Sequence, residues 1–241
     1  ADIVFQGYDR GASAYKEYFR IKENGNVGIG TTVPLGLLHV QTADVSVTPY
    51  DRGDELVLEG TGHSGMSILS GGTSIGGVYF GDSADASVGG VIYTHSGTTA
   101  ANTMGFMVGA GTVRMTILGD GNVGIGTTSP GNDLEVTNTS ANTAAEVGIS
   151  TYSTAGHSSG VMFQTSRNGT IGSHTIVTAD QYLGYINAAG SDGNSYESAA
   201  RISFEVDGTP GDADMPGRIC FHTTDNDSAV LDERMRIKND G

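Results

Sequence analysis

One pentapeptide of the sequence has the spacing of a catalytic serine motif. Gly156-His-Ser-Ser-Gly160 fits the pattern Gly-x-Ser-x-Gly, in which the serine lies on a sharp turn between a strand and a helix. No helix-forming segment follows it, and a chain rich in glycine and serine produces this pattern by chance. We therefore interpret the pentapeptide as a polar turn, and we predict that no residue of the chain, Ser158 included, is catalytic.

A glycine-rich segment has a superficial likeness to a phosphate-binding loop. Gly25-Asn-Val-Gly-Ile-Gly30 lacks a following Lys-Ser/Thr, the spacing of a dinucleotide site and a helix N-terminus to receive a phosphate. The sequence thus predicts no nucleotide and no other cofactor. Glycine at positions 28 and 30 is expected instead to let a neighbouring chain cross closely.

Metal-ligating residue types occur without a recognisable ligand spacing. Aspartates near the C-terminus offer the oxygen ligands that calcium prefers, but their spacing fits no EF-hand or calcium-binding roll, so solvated acidic loops are expected. No two histidines have ligand spacing, and one histidine from each of three chains on a common axis stays an open alternative. Metal binding is therefore left unassigned. The aspartates are Asp207, Asp212, Asp214, Asp225 and Asp227, and the histidines are His39, His63, His95, His157, His174 and His222.

Two further groups of residues bear on chemistry. Paired carboxylates can hydrolyse polysaccharides, but such enzymes present aromatic platforms to sugars. This chain has no Trp, and Tyr182, Tyr185 and Tyr196 form the only local group among its 10 Tyr. The single cysteine, Cys220, alternates with Ile219 and Phe221, which predicts a buried thiol in a strand. The sequence therefore predicts a protein that is not an enzyme.

Composition and charge restrict the class of protein. Glycine supplies 38 of the 241 residues, hydrophobic residues 37% and aromatic residues 7%. So little apolar material predicts either a flexible chain or thin β-structure that shares its hydrophobic cover with other copies of the chain. The 12 basic and 27 acidic side chains leave a formal charge of −15, which disfavours nucleic acid and anionic lipid as partners. No apolar run is long enough to span a membrane, and the first residues do not resemble a signal peptide.

An internal repeat organises the chain. Phe19–Pro34 returns as Met115–Pro130, and a third copy begins at Met235. The glycines that mark the three copies, Gly25, Gly121 and Gly241, are 96 and 120 residues apart, which is too long and too uneven for a solenoid. We interpret the repeat as a connector between variable inserts. The predicted segments are the end of a preceding module (1–18), connector 1 (19–40), insert 1 (41–112), connector 2 (113–136), insert 2 (137–232) and the start of connector 3 (233–241).

Each connector is predicted to be a β-hairpin with a three-residue loop. A two-residue turn at Asn24-Gly25 would place the apolar residues on opposite faces, whereas the loop 23–25 pairs Ile21 with Val27 and Phe19 with Ile29. The last loop residue must then be left-handed, which explains its glycine. We expect the apolar face to point at a threefold axis and Gly28 and Gly30 to lie outside. The connector residues so assigned are Ile21, Gly25, Val27, Gly28, Ile29, Gly30, Ile117, Gly121, Val123, Gly124, Ile125, Gly126 and Gly241.

The inserts read as short antiparallel strands separated by turn-forming residues. Alternation predicts strands in 55–59, 201–206 and 218–221, and we also assign a strand to 12–22. Gly77–Phe80 weakly resembles Gly160–Phe163, and Gly90–Tyr93 weakly resembles Gly217–Cys220, so each is predicted to be a short strand that begins with glycine. The fold class is predicted to be all-β: an elongated homotrimeric fibre segment, with intertwined β-hairpin connectors alternating with small antiparallel β-domains.

Several segments resemble bacteriophage tail fibres of the type that ends in a self-cleaving, endosialidase-like intramolecular chaperone. The resemblance covers about half of the chain, and no chaperone domain is present. The segments that carry it are Gly121–Pro130, Arg234–Gly241, Tyr196–Gly211, Asp214–Arg218 and Val78–Ser83.

The resemblance implies a homotrimeric virion protein, located outside the cell, that contacts other tail or baseplate proteins. It further implies attachment to a host-surface glycan or an outer-membrane receptor. The chain would supply reach and rigidity and would display loops for host recognition. Two alternatives stay open, a polysaccharide-depolymerising tailspike and the stalk of a bacterial surface adhesin.

Overall fold

The protein is all-β in a computed structural model that describes residues 1–98, 101–109, 111–138 and 144–241. Within these ranges it has fifteen strands in three sheets and no α-helix. The chain divides into two compact units, Ala1–Val147 and Gly148–Gly241. Residues 99–100 and 110 of the first predicted insert, and 139–143 of the second, lie outside the described residues.

The first sheet has five strands in the order β1-β2-β3-β4-β5. The first three strands are antiparallel, whereas β4 is parallel to β3 and β5 is parallel to β4. Their bounds are Ile3–Asp9 (β1), Ala14–Ile21 (β2), Val27–Ile29 (β3), Leu38–Gln41 (β4) and Leu56–Glu59 (β5).

The second sheet repeats this plan with six strands in sequential order. Strands β6 to β10 are antiparallel neighbours, and β11 is parallel to β10. Their bounds are Ile75–Phe80 (β6), Gly89–Thr94 (β7), Thr103–Val108 (β8), Val113–Leu118 (β9), Val123–Ile125 (β10) and Leu134–Val136 (β11).

The third sheet, in the second unit, is an antiparallel meander of four strands. It contains the longest strands of the described chain, and the turn Asp192-Gly193 joins the first two, with Gly193 at φ +102°. The bounds are Tyr182–Ser191 (β12), Tyr196–Val206 (β13), Gly217–Thr224 (β14) and Leu231–Ile237 (β15).

The connector hairpins have the predicted register. Ile21 lies opposite Val27 and Phe19 opposite Ile29, and in the second copy Ile117 and Met115 lie opposite Val123 and Ile125. The amide of Lys22 donates to the carbonyl of Asn26 at 2.8 Å and closes a three-residue loop. Gly25 and Gly121 have φ of +92° and +103°, so the loop requires the left-handed conformation that glycine adopts freely.

The strand that follows each hairpin departs from the prediction of antiparallel domains. Leu38, His39 and Val40 of β4 pair in parallel with β3, and Leu134–Val136 of β11 pair in parallel with β10. After the hairpin the Thr-Thr-x-Pro segment reverses the chain, and its Thr31 and Pro34 lie against Gly28 on the face of the sheet that carries His39. The sheets that contain connectors 1 and 2 are therefore mixed, and alternation alone does not reveal strand direction.

Within one chain, the backbone and side chains approach the connector glycines closely. A Cβ atom on Gly28 would lie 2.6 Å from the carbonyl oxygen of Thr31. A Cβ atom on Gly30, at φ +79°, would lie 2.1 Å from the carbonyl oxygen of Gln41. The equivalent distances in the second copy, at Gly124 and Gly126, are 2.5 and 2.1 Å. These glycines therefore fit the return segment against the hairpin.

A β-bulge extends the repeat to the strand before each connector. The register shifts directly after Phe5 in β1, Phe106 in β8 and Phe221 in β14. These phenylalanines lie opposite Phe19, Met115 and Met235, the first residue of each connector copy. The extra residue at each shift is on the connector strand and is Tyr18, Arg114 or Arg234, so the repeat consists of a bulged connector strand and the strand that precedes it.

The prediction of a strand at Gly160–Phe163 is wrong, whereas the other three glycine-led segments are strands. Gly160–Phe163 lies in an exposed segment without strand structure, and β12 takes the place that corresponds to β6, three strands before the connector strand. Gly217–Cys220 begins β14, next to the connector strand β15, whereas Gly90–Tyr93 lies in β7, two strands before β9. The short similar segments therefore do not occupy the same place in the two sheets.

Little of the apolar material is enclosed by the chain itself. Among the described residues, the buried apolar side chains are Met107, Val177, Val206 and Cys220. The described part of the chain also contains no helix with the length and apolar character that a membrane crossing requires.

Candidate functional site

One face of the first sheet is apolar and open. Cross-strand partners share a face, so the pairing registers assemble two continuous rows of large side chains across all five strands. Ile3, Phe5 and Leu56 in these rows are 56%, 57% and 48% exposed. The rows are Ile3, Ile21, Val27, Leu38 and Leu56, and Phe5, Phe19, Ile29, Val40 and Leu58.

The other sheets carry the same rows. In the second sheet one row crosses all six strands, and an open hollow of about 480 Å³ beside it is lined by Phe80, Val91 and Phe106. In the third sheet Met235 and Ile237 are about half exposed, at 51% and 49%. The rows are Val78, Val91, Phe106, Met115, Ile125 and Val136 in the second sheet, and Ile186, Ile202, Phe221 and Met235 in the third.

The opposite face of the first sheet is polar and covered. His39, fully buried, places Nε2 2.7 Å from Oε2 of Glu59, although its N–H is not aligned for a linear hydrogen bond. The amide of Leu35 donates to Nδ1 of His39 at 3.2 Å. Glu59 also accepts hydrogen bonds from the amide of Val45 at 2.6 Å and from Gln41 at 2.7 Å. These donors, the Val45 amide first, hold the pKa of Glu59 below its usual value.

The second connector uses a different side chain for the same loop contact. Glu135 occupies the position of His39, and its Oε2 accepts from the amide of Gly131 at 2.8 Å, just as His39 accepts from Leu35. A side chain that accepts a hydrogen bond is therefore required at this position, because it satisfies an amide of the return segment.

A third polar cluster lies in the second unit, on the face of the sheet opposite its apolar row. Arg218 donates to Oε2 of Glu205 from Nε at 3.0 Å and from a terminal nitrogen at 2.7 Å. Its other terminal nitrogen contacts Asp180 at 2.6 Å and Asp207 at 3.4 Å. Oε1 of Glu205 accepts from Ser203 at 2.6 Å, and Ser203 lies 3.0 Å from Nε2 of His222. Burial raises the pKa of the neighbouring Cys220 thiol.

The residues singled out for catalysis and calcium binding do not come together. Gly156–Gly160 lies in an exposed segment without strand or helix. Asp207 contacts Arg218 and the amide of Asn239, Asp214 closes a small turn with Gly211, and Asp225 contacts Arg234. In the described ranges, the one cluster of three potential ligands is Glu205, Cys220 and His222.

Sequence reasoning missed this cluster because its members come from two strands 15 residues apart. Cys220-x-His222 and Ser203-x-Glu205 each have the spacing that places two side chains on one face of a strand. Only the pairing of Ser203 with Cys220 brings the two faces together. The prediction that Cys220 is buried in a strand is confirmed, since its exposure is 0%.

Solved structures of a phage tail fibre are similar to this chain. The carboxy-terminal domain of the bacteriophage T5 L-shaped tail fibre matches with a TM-score of 0.57 and 13% identity, over 75% of this chain and 85% of that one. The same domain with its intramolecular chaperone domain matches with a TM-score of 0.61 and 15% identity, over 76% of this chain. The chain has the fold of a phage tail-fibre domain.

The tail-fibre fold agrees with the resemblance seen in the connectors and confirms the predicted all-β class. The chain spans 60% of the length of the tail-fibre domain that includes its chaperone. No protein-family model and no curated protein matches the sequence.

Proposed function

We propose that the chain is a structural and attachment segment of a phage tail fibre that works as a homotrimer. The observation that carries this proposal is that polar side chains are buried on one face of the sheet while large apolar side chains are exposed on the other. In the first sheet the polar face holds a histidine with 0% exposure, while phenylalanine and leucine on the apolar face are half exposed. Monomeric proteins rarely leave such continuous apolar surface in water.

Three copies of this chain fit the apolar rows best. Each sheet pairs the first residue of its connector with a phenylalanine on the preceding strand. One packing arrangement would therefore serve all three sheets. The side chains that carry the formal charge of −15 lie outside the apolar rows, so contact between copies along these rows would involve no charged group. The connector residues assigned from the sequence would then form narrow necks in which three hairpins share one apolar layer.

The remaining parts of the proposal concern reach and recognition. Three chains that share each apolar layer would be stiff, because no chain can separate alone. Loops between strands, such as those of the second unit, would contact a host-surface glycan or an outer-membrane receptor, and threefold symmetry would multiply each weak contact. The segment would be part of the virion, joined to other tail or baseplate proteins.

Sedimentation velocity on the purified chain tests the assembly. We expect one species with three times the chain mass at micromolar concentration. Val27→Asp, in the apolar row, should dissociate it, whereas Val33→Asp, on an exposed return segment outside the rows, should leave it intact. A folded wild-type monomer at that concentration would contradict the proposal. Labelling the particle with an antibody against the chain would then locate it on the tail.

A further inference from the structure

A cluster of three potential metal ligands lies on the polar face of the third sheet. Glu205 is on β13, and Cys220 and His222 are two residues apart on β14. Ser203 of β13 lies directly opposite Cys220 in the antiparallel register. All four side chains therefore project from the same face of two central strands.

The ligand atoms are close enough to share one ion. One ligand atom from each of the three residues lies within 4.8 Å of the others, and Oε1 of Glu205 is 4.0 Å from Nε2 of His222. Ser203 Oγ lies between the last two atoms, at 2.6 and 3.0 Å. Zinc–ligand bonds of about 2.0–2.3 Å require ligand atoms about 3.5 Å apart, so a contraction of about 1 Å completes the site.

The site is shielded from water. Cys220 and Ser203 are fully buried, Glu205 is 5% exposed and the side chain of His222 is 11% exposed. No hydrogen bond reaches Sγ of Cys220 in the part of the chain that the structure describes, so this buried sulfur faces the cluster without a partner. A carboxylate, an imidazole and a thiol in such a site differ from the solvated aspartates of the nearby loops.

The surrounding groups orient the carboxylate as a ligand. Arg218 occupies Oε2 of Glu205 through two hydrogen bonds and leaves Oε1 directed at Ser203 and His222. Outer hydrogen bonds of this kind hold ligating carboxylates in metal sites. Asp180 and Asp207 contact the same guanidinium and balance its charge.

We propose that Oε1 of Glu205, Sγ of Cys220 and Nε2 of His222 bind a divalent ion of the zinc class. A set of sulfur, nitrogen and oxygen ligands selects zinc-like ions, whereas calcium and magnesium require oxygen ligands throughout. On binding, the thiol loses its proton to solvent, and the thiolate and carboxylate together neutralise the ion. The Ser203 hydroxyl or a water takes the fourth position. The ion ties β13 to β14 and stabilises the sheet that carries the third connector copy.

Cobalt titration of the full chain, stripped of metal with a chelator, tests this site. We expect one Co²⁺ per chain, a thiolate-to-cobalt charge-transfer band and the visible bands of tetrahedral Co²⁺, all removed by an equivalent of Zn²⁺. Cys220→Ser should abolish the charge-transfer band, and His222→Gln should weaken binding at least tenfold. His174→Gln, at an exposed histidine outside the cluster, is the matched control and should bind as the wild type does.

Cobalt titration of the wild-type chain tests the proposed metal site even if a variant fails to fold. A folded wild-type chain, checked by circular dichroism, that binds no Co²⁺ or binds it without the thiolate band would overturn the proposal. Equal binding by His222→Gln and the wild type would also overturn it. The result does not depend on the oligomeric state, so it is separate from the test of the proposed function.

Discussion

Arg236 holds the carboxylate of Glu233 through two hydrogen bonds, from Nε at 2.8 Å and from a terminal nitrogen at 2.6 Å. Arg20 holds Glu17 in the same way, with both distances at 2.7 Å. In both cases the glutamate lies opposite the residue that follows the bulge. The second connector has Thr116 at the arginine position, and its buried hydroxyl has no hydrogen-bond partner in the described residues.

The paired hydrogen bonds predict that lysine in place of the arginine beside the bulge lowers the stability of the protein. Arg20→Lys keeps the charge but loses the two parallel hydrogen bonds, so the melting temperature should fall by about 2–4 °C. Arg236→Lys should have a smaller effect, because its pair is more exposed, at 36% and 34% against 21% and 12%. Calorimetry checks this order, with Arg10→Lys as an exposed control, and equal melting temperatures for all three variants would contradict it.

Alanine substitutions at the connector glycines should lower the free energy of unfolding by different amounts. Gly25→Ala meets no atom within 4 Å and should cost about 1 kcal/mol from its positive φ alone. Gly28→Ala should destabilise more, since its methyl group would lie 2.6 Å from the Thr31 carbonyl oxygen. Gly62→Ala, with open space and no positive φ, is the control. Urea unfolding measures the order, and a Gly28→Ala variant as stable as the control would rule out the tight return segment.

Glu59 should make the first unit sensitive to acid. Its pKa is held below the usual carboxyl value, so its contribution is complete above about pH 4.5 and is lost as the pH falls through the lowered pKa. Glu59→Gln should therefore flatten the fall of stability with decreasing pH. Glu55→Gln, on the same strand edge but exposed, should keep the wild-type slope. Urea midpoints at several pH values test this, and identical slopes for both variants would count against the prediction.

Removing Arg218 should leave a buried charge without a partner. Its side chain is 9% exposed and that of Glu205 is 6% exposed, so Arg218→Ala should cost about 3 kcal/mol. Arg234→Ala, at a pair 42% and 64% exposed, should cost less than about 1 kcal/mol. The double variant Arg218→Met with Glu205→Gln should recover part of the loss. Additive effects in this mutant cycle would show that the two groups are not coupled.

Catalysis by the serine motif or the acidic loop is not expected. Ser158→Ala and Asp212→Ala should leave particle adsorption unchanged, together with any release of reducing ends from host polysaccharide. The reason is that Ser158 lies in an exposed segment without regular structure and that Asp212 belongs to no cluster of ligands. Reducing-end assays on matched particles check this, and complete loss of hydrolysis in either variant would favour the depolymerase alternative.

The connector was predictable in detail because two local rules agree there. The alternation of Phe19, Ile21, Val27 and Ile29 allows one register only, and the position of Gly25 fixes the loop length. The parallel strand after the hairpin was not predictable, because strand direction depends on where the return segment lies. The bulge at Tyr18 was not predictable either, because one extra residue in β2 interrupts the alternation.

Almost none of the contacts on the polar faces of the sheets could be predicted from the sequence. His39 and Glu135 share a position and a hydrogen-bonding role, yet they are unrelated as residue types. Glu205 and His222 are 17 positions apart in the sequence, and only strand pairing makes them neighbours. Apolar alternation recurs over many residues, so it can be recognised in the sequence. A polar network depends on individual contacts between residues that have no regular spacing.

The complete burial of the only cysteine gives the protein a built-in reporter of local opening. Alkylating reagents react with a thiolate at the surface, and Sγ of Cys220, which has 0% exposure, meets them only after this part of the third sheet opens. The rate at which the native chain is labelled therefore measures how often this sheet opens. This single atom reports on the opening of the third sheet without any introduced label.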